Sequence, residues 1–168
     1  EFKLISLEEN KNKILISNLE LSPTLKINNL TSVSVNYKDI KEVINKFNLK
    51  KNGSNFILEG DSFNAVKMIN NVIDNDTESS SIFQNLNTKI DIKIKKTYID
   101  EINYLNNLFG YITYKDNKVN DLKLDSVFQN NKKINLRINT NDALEKTTSL
   151  FTDYPKPLIK RYNFIKGF

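Results

Sequence analysis

Between Thr88 and Thr140 apolar and polar residues alternate with a period of two. Ile90, Ile92 and Ile94 interleave with Lys89, Asp91, Lys93 and Lys95. Leu122 and Leu124 interleave with Asp121, Lys123 and Asp125, and Ile134, Leu136 and Ile138 with Asn135, Arg137 and Asn139. Such alternation marks a strand with one apolar and one wet face. The stretch Leu108–Tyr114 is richer in aromatics, with Phe109 and Tyr111 on one side and Leu108, Ile112 and Tyr114 on the other. Polar links at Lys115–Lys118 and Gln129–Lys132 read as turns. The pattern predicts a four-stranded antiparallel meander, apolar on one face and charged on the other.

The flanking chain mixes periods. Ile14–Leu21 and Leu25–Ile27, separated by Ser22-Pro23, are short strand candidates, and Thr31–Tyr37 alternates clearly. Ile40, Val43, Ile44 and Phe47 then fall at i, i+3, i+4 and i+7, which predicts a short amphipathic helix over Asp39–Leu49. Lys51–Ser54 reads as a turn and Asn55–Glu59 as a strand. Gly60 permits a sharp change of direction. Asp61 or Ser62 can cap a following helix that carries Ala65, Met68, Ile69, Val72 and Ile73 on one face. Asp74–Ser81 is a polar loop. The link Lys96–Asn107 has two readings: a helical turn from Ile99, Ile102 and Leu105, or a prolongation of the flanking strands. Asp142 and Glu145 have capping-box spacing for a helix to about Phe151, which Pro155 and Pro157 break. Leu158–Phe164 reads as a last helical segment.

The predicted fold class is α+β: mainly antiparallel sheet, a meander able to curl into an apolar groove, with short amphipathic helices. The segments 1–54, 55–87, 88–140 and 141–168 are its successive parts, and together they read as a single fragment of a longer β-rich protein.

Composition narrows the chemistry. The 168 residues include no His and no Cys, which removes imidazole and thiol catalysis, disulfides and the usual zinc or haem ligands. The net charge of +5 is spread along the chain with Lys and Asp interspersed, whereas a nucleic-acid site gathers its basic residues on one face. No nucleic-acid partner is expected. No window approaches the ~18 apolar residues of a membrane-spanning helix. Asp74, Asp76 and Glu78 alternate like the first ligands of a calcium loop, but Ser79 stands where glycine is needed and Asn85 where glutamate is needed. A solvated acidic loop is the reading, with no metal and no cofactor. Asp121 and Asp125 flank Lys123. Paired carboxylates can do acid–base work, but on an open charged face they read as weak surface pairs. Lys160 and Arg161 beside Tyr162 could touch a lipid headgroup or a phosphate, or could simply end a basic helix. Gly60 and Gly110 are lone glycines, so no phosphate-cradling loop is present. No catalytic residue is expected.

Two segments resemble the AsmA-like family of bacterial envelope proteins, with its YhdP and TamB relatives. The first is Phe56-Ile57-Leu58-Glu59-Gly60-Asp61-Ser62-Phe63-Asn64-Ala65. The second is Leu136-Arg137-Ile138-Asn139-Thr140-Asn141-Asp142-Ala143, followed by Arg161-Tyr162 and Gly167, which is similar to the AsmA-like C-terminal region. The likeness covers roughly 55–168. Glu145, Lys146 and Thr147 depart from it where small residues are usual, as does Pro155-Lys156-Pro157.

The resemblance implies a long periplasmic protein, anchored in the inner membrane by a segment outside this fragment. Its β-repeats would form an apolar groove that carries phospholipids between inner and outer membranes. It implies no catalytic residues. The partners would be phospholipid acyl chains and further β-repeats of the same chain. The candidate lipid-facing residues are Ile90, Ile92, Ile94, Leu122, Leu124, Ile134, Leu136 and Ile138. The alternatives are a purely structural β-module, in which helices cover the apolar face, and a module that binds anionic surfaces or other proteins through its Lys-rich face.

Overall fold

In the computed structural model, which describes residues 1–25, 27–66, 87–115 and 118–162 (the last three by backbone alone), the alternating segments join one eleven-stranded sheet. Its strands are β1 (Phe2–Glu9), β2 (Asn12–Leu21), β3 (Ile27–Asn29), β4 (Ser32–Lys38), β5 (Ile44–Asn52), β6 (Asn55–Asn64), β7 (Thr88–Tyr98), β8 (Tyr104–Lys115), β9 (Lys118–Phe128), β10 (Lys133–Thr140) and β11 (Lys146–Thr152). The helix α1 (Lys156–Tyr162) follows. The spatial order is β1-β2-β4-β5-β6-β7-β8-β9-β10-β11, with β3 beside β2. Every pairing is antiparallel except β6 with β7, which is parallel. Parallel neighbours need a connection of a dozen or more residues, and 65–87 supplies it.

The meander 88–140 is present as β7–β10, one strand in from the β11 edge of a much larger sheet. The link Lys96–Asn107 prolongs the flanking strands around a short turn. Asp100 closes that turn by accepting hydrogen bonds from the Ile102 and Asn103 amides at 2.8 and 2.6 Å. The sheet is mainly antiparallel as expected, but the helical share of an α+β fold is overstated: α1 is the one complete helix among the described residues.

Two predicted helices give way to strands or turns. Over Asp39–Leu49, the Asp39 carboxylate accepts from the Lys41 and Val43 amides at 2.9 and 3.0 Å and closes a turn. Lys46-Phe47-Asn48-Leu49-Lys50 then alternates along β5. The helical spacing of Ile40, Val43, Ile44 and Phe47 was a coincidence of a turn running into a strand. At Gly60 the chain does not turn, and neither Asp61 nor Ser62 caps a helix, because β6 runs through to Asn64. A Cβ at Gly60 would lie 2.4 Å from the Lys46 carbonyl and 2.6 Å from Phe47, so glycine serves close strand approach at a bulge. Met68, Ile69, Val72, Ile73 and the loop Asp74–Ser81 lie outside the described residues.

The Asp142–Phe151 helix is likewise a turn and then β11. Asn141 and Glu145 clasp each other through backbone and side chain, with Asn141 Oδ1 accepting from the Glu145 amide at 2.9 Å. Leu144 is left-handed at φ 62°, which no α-helix accommodates. Lys146-Thr147-Thr148-Ser149 has little helix preference and pairs with the free edge of β10. Leu25 falls in a turn at φ 59°, so the short strand expected at Leu25–Ile27 is β3, starting at Ile27. The last helical segment is found as α1, and Pro155 and Pro157 stand at its start.

Candidate functional site

Alternation puts every second side chain of a strand on the same face, and the pairing registers set those side chains opposite one another. One cross-strand line is Ile5, Ile16, Val33, Leu49, Leu58, Ile92, Gly110, Leu124, Leu136 and Leu150. It crosses ten strands from edge to edge without a polar residue. At ~4.8 Å between strands it is about 43 Å long. Beside it runs Phe56, Ile90, Ile112, Leu122 and Ile138.

Burial along this face is uneven. Ile92, Ile94, Ile112 and Leu122 are buried and form one cluster, against which Phe47, Leu58, Phe63, Leu124 and Leu136 are half-buried. Ile5, Ile16, Val33 and Leu49 are half-buried as well, and Leu150, at the edge, is exposed. A second cluster, Ile99, Leu105, Phe128, Ile134 and Leu158, lies toward the strand ends. Phe128 has the same parity along β9 as Leu122 and Leu124, and the pairing of β9 with β10 has no register shift. Both clusters therefore belong to one face. Between β8 and β9 the register shifts by one between Asn106 and Phe109, where Asn107 is left-handed at φ 52°. That bulge lets Leu105 and Leu108 share the face although they are an odd number of positions apart.

All eight candidate lipid-facing residues lie on this face: Ile90, Ile92, Ile94, Leu122, Leu124, Ile134, Leu136 and Ile138 are members of the two clusters or pack against them. The three isoleucines of β7 point the same way as Leu122, Leu124 and Leu136, as the shared period requires. Ile5, Ile16, Val33, Leu49 and Leu58 extend the line. Sequence reasoning passed over them as site residues because only the register of β1–β6 places them in it. Periodicity within β4 and β5 could have suggested their face but not their neighbours. Two buried polar side chains interrupt the face: Ser126, opposite Ile134, whose hydroxyl donates to the Asn106 carbonyl at 2.7 Å, and Thr97, opposite Leu105, which is 2 % exposed and whose hydroxyl has no hydrogen-bond partner among the described residues.

The other face carries ion pairs across neighbouring strands. Asp61, the extra residue of the β6 bulge, meets Lys46 at 2.8 Å and Lys95 at 2.7 Å. Hydrogen bonds and charge from these two lysines hold its carboxyl down at about 2. Its folded value lies below its unfolded one, so its contribution to stability is present above pH ~4 and is lost as pH falls towards 2. Asp61→Asn should flatten that part of the acid-unfolding profile, and more so at low salt, because these side chains are exposed. An unchanged profile at low ionic strength would show that the pairs are not formed in solution.

Asp121 and Asp125 each sit in a network of their own. Asp121 is held below the usual carboxylate range first by the Thr140 amide, against a smaller cost of burial, and then by Asn120 and Thr113. For Asp125 burial pushes upward, but hydrogen bonds from Arg137 (2.5 Å) and Asn135 outweigh it and the value is lowered. Both are stabilised as anions and neither is placed to donate a proton, so the arrangement favours strand-to-strand ties over acid–base work. Lys96 Nζ lies 3.8 Å from the Tyr104 ring centroid and 4.9 Å from that of Tyr98. Asp74, Asp76, Glu78, Ser79 and Asn85 lie outside the described residues, as do the side chains of Lys160, Arg161 and Tyr162. Among the described residues no helix is long and apolar enough to cross a membrane.

No family model, curated protein or solved structure matches the chain. The reading of function therefore rests on the sheet itself, and chiefly on its edge-to-edge apolar line.

Proposed function

We propose that the chain is a non-enzymatic segment of a periplasmic AsmA-like protein that carries phospholipid acyl chains between the inner and outer membranes. The single observation behind this reading is the line from Ile5 to Leu150, unbroken by any polar residue and half-buried over most of its length. Here apolar residues reach both edges, β1 and β11, where further β-repeats of the same chain would prolong the line. A leaflet's chains fill about 15 Å, half of a ~30 Å bilayer core, so the line exceeds an acyl chain in length. Each methylene laid on it contributes ~0.8 kcal/mol. The opposite face is suited to water, and its Lys46, Lys50 and Lys95 are engaged by Asp61 and Glu59 rather than left as an unpaired positive stripe. Anchoring in the inner membrane would fall to a segment outside this fragment.

The test is a pair of glutamate substitutions with lipid co-purification and thermal melting both measured. Val33→Glu puts a charge at a half-buried point of the line. It should abolish lipid recovery and leave the fold intact, within about 1 kcal/mol. Ile92→Glu buries an unpaired charge at a side chain only 8 % exposed and should cost several kcal/mol. If the unmutated protein carries no lipid, or Val33→Glu carries as much as the original, the face is a structural one.

A further inference from the structure

The segment after β11 folds back onto the apolar face. Asp153 ties down its start: its amide donates to the Lys133 carbonyl at 3.0 Å, and its carboxylate accepts from the Lys133 amide at 3.2 Å. The Tyr154 ring then meets Phe128 edge-on, with centroids 5.5 Å apart at 86°. Leu158, from α1, is 8 % exposed among Ile99, Leu105, Phe128 and Ile134. The next residue, Ile159, is 40 % exposed. The α1 helix is seven residues long with no acidic residue in its first turn, too short to be stable without its packing. Its hold on the sheet is thus chiefly a few apolar side chains, Tyr154 and Leu158 with the buried Pro157.

From these observations we infer that Tyr154 and Leu158 are a built-in occupant of the acyl-binding face, and that α1 is a strap which must lift for a chain to lie across β8–β10 near Phe128. The inference rests on the acyl-chain reading above and adds regulation to it. Leu158 and Tyr154 place on Phe128 and Ile134 the same kind of apolar matter that an acyl chain would. Strap and ligand therefore compete for one surface. A protein whose competent state is only partly populated binds with its intrinsic affinity reduced by that fraction, so loosening the strap must tighten binding. A mere wall residue would act the other way, because its loss removes contacts from the ligand.

The experiment titrates the whole chain with a fluorescent polyene fatty acid and compares the original with Leu158→Ala and Tyr154→Ala. Each variant should bind about threefold more tightly or better, by the population argument. Its strand circular dichroism should be unchanged. As a second readout that needs no variant, saturating probe should speed hydrogen exchange at the Leu158 and Ile159 amides, both of which donate to the Pro155 carbonyl at 3.0 Å. Equal or weaker binding by folded variants overturns the strap while leaving the acyl reading in place, and so does slowed exchange at these amides. If neither the original nor the variants bind the probe, the acyl reading falls and the strap with it. Should a variant fail to fold, the exchange measurement on the original decides alone.

Discussion

Gly110→Ala is expected to cost about 3–5 kcal/mol, a large share of an ordinary domain's stability. Gly110 sits within the apolar line, between Ile92 on β7 and Leu124 on β9. Its φ of 144° is one that L side chains rarely adopt, and a Cβ there would stand 1.8 Å from the Lys123 carbonyl oxygen. That oxygen is backbone and cannot withdraw without parting β8 from β9. Strain and clash therefore add. Gly53→Ala is the natural comparison: φ is 63°, but nothing lies within 4 Å of the added Cβ, so its cost should stay near 1 kcal/mol. Denaturant midpoints measure both. A Gly110 variant within about 1 kcal/mol of the original would mean that β8 and β9 can slide apart at this point.

Phe128→Ala should lose about 3–5 kcal/mol as well, by a different route. Phe128 is fully buried, with Tyr154 edge-on to its ring. Truncation leaves a hole that the sheet cannot close, since the Phe128 backbone is fixed by the hydrogen bond its amide donates to the Lys132 carbonyl at 2.8 Å and by pairing with Leu105. The comparison is Phe109→Ala on the outer face, where the ring is 56 % exposed and the loss should be within about 0.5 kcal/mol. Near-equal effects of the two substitutions on thermal melting would contradict the assignment of faces.

The parts of the fold that could be read from the sequence were those where one rule acted alone. In β7, β9 and β10 a charged or polar residue stands at nearly every second position, so the period could only be two. The helix predicted at Asp39–Leu49 failed where two rules overlapped: the Asp39 turn shifted the phase, and Ile40, 94 % exposed at its tip, counted as a core residue when it was not. The helix at Asp142 failed because a capping box describes only local bonding. Asn141 and Glu145 satisfy each other equally well in a turn, and the open edge of β10 decided the outcome. β1 went unread because Phe2, Leu4, Ile5 and Leu7 follow no strict alternation. The candidate site was half legible. Its eight candidate residues followed from periodicity, whereas the continuation of the line through β1–β6 depends on pairing registers that no local pattern reveals.

The parallel junction between β6 and β7 also divides the chain's entropy. Most other neighbours are joined by hairpins, whose closure is fast and cheap. This seam pairs residues 34 apart along its whole length, from Phe56 with Ile90 to Asn64 with Tyr98. Its contacts can repay the closed loop only after that loop has formed. Two antiparallel blocks, β1–β5 with β6 and β7–β11, are therefore local structures that can form early and independently. Their docking along a single seam is the non-local step of the topology, and the unbroken apolar line exists only once it is complete.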